Sequence, residues 1–472
     1  MDLPPITGSV EQTAEITRSL PLAAGVDPTL VRAAFGVALH MHQPTVLGAG
    51  DRMTAPLISN LQYMFEHPGQ GDNHNAPAFR RCYERVADLV GPLVARGRHP
   101  RLMLDYSGNL LWGLTQMDQM DVLAALRRTT EPALAPSIEW LGTMWSHAVP
   151  SSTPVPDLKL HMLAWRHHFA ALFGLPALAR VRGFSAPEMS LPIHPDVCFA
   201  YVRALRECGY QWLMVQEHTV ENADGTPLRQ PHLPHRLVAC NSEGDTETIR
   251  VLVKTQGSDT KLVGQMQPFG EAKSLDRQPV GGHTLAPYAL QIGDGENGGV
   301  MMNEFPSAYE QAFEQQGAGG VVAMNGSEYL EAVAALGIDE RAFSPVQPVS
   351  QHRIWEEVAA VRGRAAVDGA IARLRRRDPS FNLDRASWTN DRSWVEGYND
   401  VMDPVLRLSA RFHERWDQVA DNARGGSTYP LSLLYLLLSQ TSCFRYWGHG
   451  FWTDTAQEIC RRGLESLNAG LE

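Results

Sequence analysis

The sequence is poor in lysine and in long apolar runs. Four of its 41 basic residues are lysine, and acidic residues outnumber basic ones by 52 to 41. The resulting net charge of −11 disfavours nucleic acid and anionic membranes as partners, because each bound phosphate needs a local cation. The longest apolar stretch, around residues 431–438, is too short to span a bilayer. We therefore expect no membrane segment, and a neutral substrate would meet no such electrostatic penalty.

Paired cysteines and targeting features are also missing. The six cysteines are scattered between residues 82 and 460 without a C-x-x-C pair, so free thiols are expected rather than a disulfide framework or a zinc ribbon. Residues 1–32 are polar with scattered proline, and they lack the basic start and apolar core of a signal peptide. We expect a loosely held leader and a cytoplasmic protein, and we leave the oligomeric state open.

Several common catalytic signatures are absent. The sequence has no G-x-S-x-G elbow, no Walker loop and no H-E-x-x-H. No cofactor is predicted. With 44% hydrophobic residues over 472 positions, the chain is nevertheless long enough to bury a large core without disulfides or structural metals.

What the sequence does contain is an alternation of short apolar runs and helical segments. The apolar runs predicted to be strands are 35–39, 102–104, 140–144, 181–184, 210–215, 249–254 and 286–292. The helical segments between them include 78–96, 157–172 and 195–208. This alternation predicts an α/β fold with a parallel sheet. After about residue 350 the pattern becomes helical, with segments at 354–377, 393–419, 430–438 and 452–467.

Polar residues follow the predicted strands at six points. These residues are His40, Asp105, His147, Glu188, Glu217 and Asp294. In a parallel barrel the carboxyl ends of the strands form one face, where chemistry collects. We therefore expect an incomplete (β/α)7 TIM-like barrel over residues 33–345, with a loop insertion at about 219–285, followed by a C-terminal α-helical domain over 346–472.

Two acidic segments carry the candidate catalytic carboxylates. Pro187 fixes its own backbone and extends Ala186, which would present Glu188 rigidly at a strand end. Asp294 lies in Gly293–Gly299, where glycines allow a ligand to approach the backbone. The alternative interpretations are a helix N-terminal carboxylate for Glu188, and for Asp294 a tight acidic turn or an oxygen cage for calcium, although the segment lacks the spacing of an EF-hand loop.

The pair His40 and His42 allows two interpretations. Residues i and i+2 of an extended strand share a face, so the two imidazoles could bind zinc with Asp105 or His147 as a third ligand. They could equally bind sugar hydroxyls, because imidazole nitrogens suit such partners. A third dense segment, residues 440–452, crowds aromatic rings around His449. It could be a buried helix corner or a surface that stacks on sugar rings.

In this order along the chain, the segments resemble those of glycoside hydrolase family 57. The matching segments are FGVALHMHQP at 35–44, DYSGNLLWGL at 105–114, WSHAVP at 145–150, GFSAPE at 183–188, DGEN at 294–297 and WGHG at 447–450. Two departures stand out. No Trp precedes Pro187, and Ser442-Cys443-Phe444 occupies a place where many members have Ser-Asp-aromatic.

The resemblance implies a retaining enzyme that acts on α-glucans or related α-glycosides and uses no metal. It implies Glu188 as the nucleophile and Asp294 as the general acid/base, with His40, His42, Gln43, His147 and Trp447 lining the sugar sites. Asp105, Glu217 and His449 complete the expected substrate-binding set.

Two other functions remain open from the sequence. One is a metal-dependent hydrolase similar to polysaccharide deacetylases, built on His40 and His42 with Asp105 or His147. The other is a carbohydrate-binding protein that has kept the fold without the catalysis.

Overall fold

The structure is a computed structural model that describes residues 2–8, 27–255, 263–296, 307–358, 363–383, 398–420, 424, 426–446 and 449–469. Its strands are β1 (Ala33–Met41), β2 (Thr45–Leu47), β3 (Leu57–Ser59), β4 (Leu102–Tyr106), β5 (Ile138–Trp140), β6 (Gly183–Ser185), β7 (Trp212–Gln216), β8 (Val220–Asn222), β9 (His235–Cys240), β10 (Thr246–Lys254), β11 (Gln278–Val280), β12 (His283–Leu285), β13 (Tyr288–Asp294), β14 (Val321–Ala323) and β15 (Ser344–Pro348).

The helices are α1 (Asn60–Glu66), α2 (Ala76–Ala95), α3 (Gly108–Gln116), α4 (Met120–Arg128), α5 (Val155–Phe173), α6 (Leu175–Leu178), α7 (Pro195–Glu207), α8 (Gln267–Ala272), α9 (Ser307–Gln315), α10 (Gly326–Ala335), α11 (Gln351–Val358), α12 (Arg364–Arg377), α13 (Asn399–Trp416), α14 (Thr428–Ser439), α15 (Cys443–Tyr446) and α16 (Phe451–Asn468).

A mixed sheet with a parallel centre organises the fold, which confirms the predicted α/β class. Strand β1 pairs in parallel with β4 on one side and with β13 on the other. From β13 the parallel pairing continues through β10 and β7 to β6, and β4 pairs with β5. Gly142, two residues beyond β5, forms a parallel bridge with Phe184 of β6. Antiparallel strands β8 and β9 extend the sheet through β15 and β10.

The central strands are buried on both faces, as expected for parallel strands covered by helices. Every residue of β1 is buried except His40, which is half-buried. At the amino ends of the strands the indole of Trp212 fills the interior, against Gly183 and Gly326. A Cβ atom at either glycine would lie 2.3 Å from this ring, so both positions need glycine.

The structure corrects two predictions about the order of elements. The segment 219–285 is not a loop insertion, because it contains β8, β9 and β10, and β10 belongs to the parallel centre of the sheet. The polar and glycine-rich composition of the segment favoured a loop, although β10 was itself predicted as a strand at 249–254 and the side chains of β9 alternate between buried and half-buried. The single helix predicted at 354–377 is two helices. Gly363, with φ of +124°, starts the second of them.

The amino-terminal segment is more buried than expected, and helices near the carboxyl end pack on one another. Ile6, in the segment predicted to be a loose leader, is buried in the main core. Near the carboxyl end, α13, α14 and α16 pack on one another, and the Trp416 indole donates to the Ser432 hydroxyl at 3.1 Å. Within the described ranges, the search for a helix long and apolar enough to cross a bilayer finds none.

Candidate active site at the carboxyl ends of the strands

The register of β1 brings three predicted site residues together. His40 lies opposite Asp105 of β4 and opposite Asp294 of β13. His40 Nδ1 is 3.0 Å from Asp105 Oδ2, and the Asp105 carboxylate is buried. Burial alone would lower the pKa of His40, but the charges of Asp105, Asp294 and Glu296 raise it to about 10. His40 is therefore an imidazolium at neutral pH.

Two atoms of this His40–Asp105 pair have no partner within the described chain. His40 Nε2 and Asp105 Oδ1 are both buried without a hydrogen bond. An unbonded buried polar atom costs about 1–3 kcal/mol, so such atoms usually have a ligand or a water as their partner. The pair thus offers one donor and one acceptor to a bound molecule.

His42 and His147 form a stack beside His40. Their ring centroids are 4.2 Å apart with an interplanar angle of 12°, and the His147 ring is 4.7 Å from that of His40. His42 Nδ1 lies 2.7 Å from the Ser107 hydroxyl, and His147 Nδ1 lies 2.7 Å from the Ser442 hydroxyl. Burial, together with the His40 charge, lowers the pKa of both rings well below its usual value, so both are neutral.

Glu188 is held in a strained turn that faces this stack. It lies in the short helical turn Pro187–Met189 after β6, preceded by the extended Ala186, as the Pro-Glu sequence predicts. Its φ is +58°, and the φ of His147 is +61°, both in the left-handed region that side chains other than glycine rarely adopt. The Glu188 carboxylate is 3.8 Å from His147 Nδ1.

Two carboxylates follow β13. Asp294 is exposed, whereas Glu296 is buried and accepts a hydrogen bond from the His42 backbone N–H at 2.8 Å. Burial raises the pKa of Glu296 to about 7. The charge of Asp294 adds to this rise, and the cation of His40 opposes it. Gly295 makes the arrangement possible, because a Cβ there would meet the Met41 side chain at 2.0 Å.

The sequence reasoning did not single out Glu296. It treated the residue only as part of the Asp294–Asn297 segment. The available signal was its position two residues after Asp294, in the same glycine-rich segment at the strand end. That spacing does not reveal that the His42 backbone, far away in sequence, provides the partner.

Cys443 and Gln43 close the site on the side of α1 and α15. Cys443 Sγ is 3.4 Å from His42 Nε2. Burial, reinforced by the Glu188 charge, raises the pKa of this thiol to about 12, so it is protonated and a poor nucleophile. Gln43 is buried, and its Oε1 accepts from Asn60 Nδ2 at 2.8 Å.

The structure does not bring all the predicted residues into this cluster. Glu217 begins the turn after β7 and lies in electrostatic contact with Lys254, whose pKa burial lowers to about 8. His449 is exposed just before α16. Trp447 lies outside the described residues. All six cysteines are free, four of them buried.

The geometry of His40 and His42 differs from the one expected for a zinc site. The Nδ1 atoms of His40 and His42 face Asp105 and Ser107. Among the residues that the structure describes, no group of three or more His, Cys, Asp or Glu side chains is arranged to hold a metal ion.

Comparison with known proteins shows that the chain is similar in fold to solved structures. No protein-family model matches the chain, and no curated protein sequence matches it. Among solved structures, the 4-α-glucanotransferase from Thermococcus litoralis is similar with a TM-score of 0.54 and 15% identity, over 93% of this chain and 58% of that enzyme. An exo-type maltose-forming amylase from Pyrococcus sp. ST04 is similar with a TM-score of 0.51 and 12% identity, over 92% of this chain and 79% of that enzyme.

The chain therefore shares its α/β fold with enzymes of the glycosidase and glucanotransferase class. It spans less than two thirds of the length of the glucanotransferase.

Proposed function

We propose that the chain is a retaining glycoside hydrolase or glucanotransferase of the family 57 type, acting on α-glucans or related α-glycosides. The observation that carries the proposal is the position of Glu188. Its carboxylate is fixed by a strained backbone beside the stacked imidazoles, at the sheet edge where Asp294 also lies. The fold shared with two α-glucan enzymes supports the same class.

The proposal includes an incomplete (β/α)7 barrel. The parallel pairs run in chain order from β1 through β4, β5, β6, β7, β10 and β13, and the pairing of β13 with β1 closes the ring. The step from β5 to β6 is made by the Gly142–Phe184 bridge. This ring of pairings supports a closed arrangement with one catalytic face. The helices after residue 350 form the proposed C-terminal domain.

In the proposed mechanism Glu188 attacks the anomeric carbon and Asp294 protonates the leaving oxygen. The glycosidic bond breaks as the Glu188–sugar ester forms. Asp294 then takes a proton from water, or from a sugar hydroxyl, which attacks the ester and restores the original configuration. The exposure of Asp294 suits exchange with an incoming acceptor, and the half-buried Glu188 suits a nucleophile that is partly shielded from water.

The sugar in this mechanism would be held by the imidazoles. His40 Nε2 can donate to a hydroxyl, and Asp105 Oδ1 can accept from one, which would satisfy both unpartnered atoms. The neutral His42 and His147 and the Gln43 amide add further polar contacts. We assign Glu217 and His449 to substrate contacts outside the histidine cluster, and we keep Trp447, which lies outside the described residues, as a proposed substrate contact.

Product analysis with maltoheptaose tests this proposal. Wild-type protein is expected to yield shorter maltooligosaccharides if it hydrolyses, and both shorter and longer ones if it transfers. Glu188→Gln and Asp294→Asn should each lower turnover about 10³-fold or more without lowering the melting temperature. Activity that survives both substitutions, or oligosaccharide binding without any product in the wild type, would contradict the assignment. Loss of activity on chelation would favour the metal-dependent alternative.

A further inference from the structure

A stack of partly exposed rings lies on the surface beside the candidate active site. The Tyr63 ring of α1 stacks on the His67 ring with centroids 4.2 Å apart, and on the Phe451 ring at the start of α16 with centroids 5.2 Å apart. Phe451 is 36% exposed. We call Tyr63, His67 and Phe451 the aromatic platform.

The aromatic platform is continuous with the site. Helix α1 begins at Asn60, whose side chain donates to Gln43, and Tyr63 follows three residues later, about 4.5 Å along the helix axis. On the other side, Cys443 contacts His42 and lies in α15, the short helix that packs against α16 and Phe451. The two helices that carry the aromatic platform are thus connected to the histidine cluster through Gln43, the chain neighbour of His42, and through Cys443.

The core does not require this arrangement of rings. Helix α1 packs into the core through Leu61 and Met64, which are buried, whereas Tyr63 lies on the partly exposed side. Tyr63 is held in place from its edge, because its hydroxyl donates to Gln70 Oε1 at 3.0 Å. His67 is held by its Nδ1, 2.9 Å from the Tyr63 backbone oxygen. The rings are thus ordered before any ligand arrives.

The surroundings of the rings fit a neutral sugar. Polar groups border the platform, namely the amides of Gln62 and Gln70 and the carboxylate of Glu66, which accepts from Gln62 at 2.9 Å. A pyranose ring has an apolar C–H face and a rim of hydroxyls, so it matches an aromatic face with hydrogen-bonding groups at its edge.

We propose that the aromatic platform is an outer subsite that stacks on a distal sugar unit of an α-glucan chain whose reacting unit lies in the histidine cluster. The inference rests on the proposed function and names the substrate class more closely. A subsite outside the histidine cluster contributes only to chains that are long enough to occupy both places. The enzyme should therefore prefer longer chains, and the preference should depend on Phe451.

The test compares maltoheptaose with maltotriose in wild type, Phe451→Leu and Phe65→Leu. Phe451→Leu keeps an apolar contact with Tyr63 but removes the flat ring. Phe65 is the matched control, because it is 39% exposed on α1, the helix that carries Tyr63, and lies outside the aromatic platform. We expect the ratio of kcat/KM for maltoheptaose over maltotriose to fall about 3- to 10-fold in Phe451→Leu, the loss typical of one stacking contact. The ratio should stay at the wild-type value in Phe65→Leu.

Binding in the Glu188→Gln background provides a readout that does not depend on turnover. Phe451→Leu should weaken maltoheptaose binding by the same factor, and Phe451→Trp, which restores a flat ring, should recover it. An unchanged ratio in an active Phe451→Leu enzyme, or an equal fall in Phe65→Leu, overturns the outer subsite and leaves the proposed function standing. A wild-type protein that binds neither oligosaccharide overturns the proposed function and the subsite together.

Discussion

Two buried polar clusters lie at opposite ends of the same sheet. The amino-end cluster contains Arg101, Glu139, Ser327 and Glu328, and the carboxyl-end cluster is the candidate site. Each contains a glutamate whose pKa burial raises to about 7, Glu139 in the first and Glu296 in the second. A raised pKa alone therefore does not tell a structural cluster from a functional one.

The two clusters differ in the hydrogen bonds that their charged side chains make. At the amino end, both oxygens of Glu139 accept from Ser327, and both oxygens of Glu328 accept from Arg101. At the carboxyl end, His40 Nε2 and Asp105 Oδ1 are left without a partner.

The two clusters also differ in backbone conformation. Ser327 and Glu328 lie in the regular first turn of α10, where the Glu328 carboxylate accepts from the Asn325 backbone N–H at 3.2 Å. Glu188 and His147 instead adopt left-handed backbone conformations. Buried atoms without a partner also occur at the amino end, at Asn325 Oδ1, so it is their combination with strained backbone that distinguishes the candidate site.

The largest effect expected from this comparison is on stability. Arg101→Met leaves the Glu328 carboxylate buried without its cation, so the free energy of unfolding should fall by about 3–5 kcal/mol. Turnover per folded molecule should stay at the wild-type value. Denaturant titration and kinetics on the same sample measure both quantities.

The double variant Arg101→Met with Glu328→Gln provides the control for that experiment. Removing both charges should recover part of the lost stability, because no unpaired charge stays buried. A loss of turnover in Arg101→Met without a loss of stability would show that the amino-end cluster is not purely structural.

The two glutamates offer a matched test of pH dependence. A carboxyl whose pKa rises from 4.5 unfolded to about 7 folded binds more protons in the native state, so its contribution destabilises the protein as pH increases from about 4.5 to about 7. Glu139→Gln and Glu296→Gln should each flatten this fall, as measured by denaturation at pH 4.5, 6 and 8.

Their pH–rate profiles should differ. In Glu296→Gln the alkaline limb of kcat/KM is expected at lower pH, because the Glu296 charge is one of those that raise the pKa of His40, whose protonated ring is proposed to hold the sugar. In Glu139→Gln the profile should match that of the wild type. Equal shifts in the two variants would mean that Glu296 acts only through stability.

Sequence patterns could predict the strand-end residues because they depend on local order. A buried strand followed by a polar residue recurs at His40, Asp105 and Asp294, and parallel pairing then brings these residues side by side. The rigid presentation of Glu188 follows from Pro187 in the same local way. The strand β10 was also recognised from its own apolar residues.

Other features depend on contacts between distant parts of the chain. Strand β14 has three residues and is a strand only because it pairs with the start of β1. The burial of Glu296 depends on the His42 backbone, and the aromatic platform needs Tyr63 and Phe451 to meet across most of the chain. No local periodicity carries such information, and these were the features that sequence reasoning missed.

The smallest effects come from a matched pair of serines, one in each cluster and both buried. Ser442 pairs with His147 at the candidate site, whereas Ser327 accepts from the Trp212 indole at 2.9 Å and bonds Glu139. Ser327→Ala leaves a buried carboxylate oxygen and an indole N–H without partners, so the free energy of unfolding should fall by about 1–3 kcal/mol at unchanged kcat.

Ser442→Ala removes the partner of the His147 ring and should lower kcat about 5-fold, the equivalent of one hydrogen bond of about 1 kcal/mol. Thermal melting and initial rates on maltoheptaose measure the two responses. If Ser327→Ala instead lowered kcat, or Ser442→Ala changed only the melting temperature, the assignment of stability to the amino end and chemistry to the carboxyl end would be wrong.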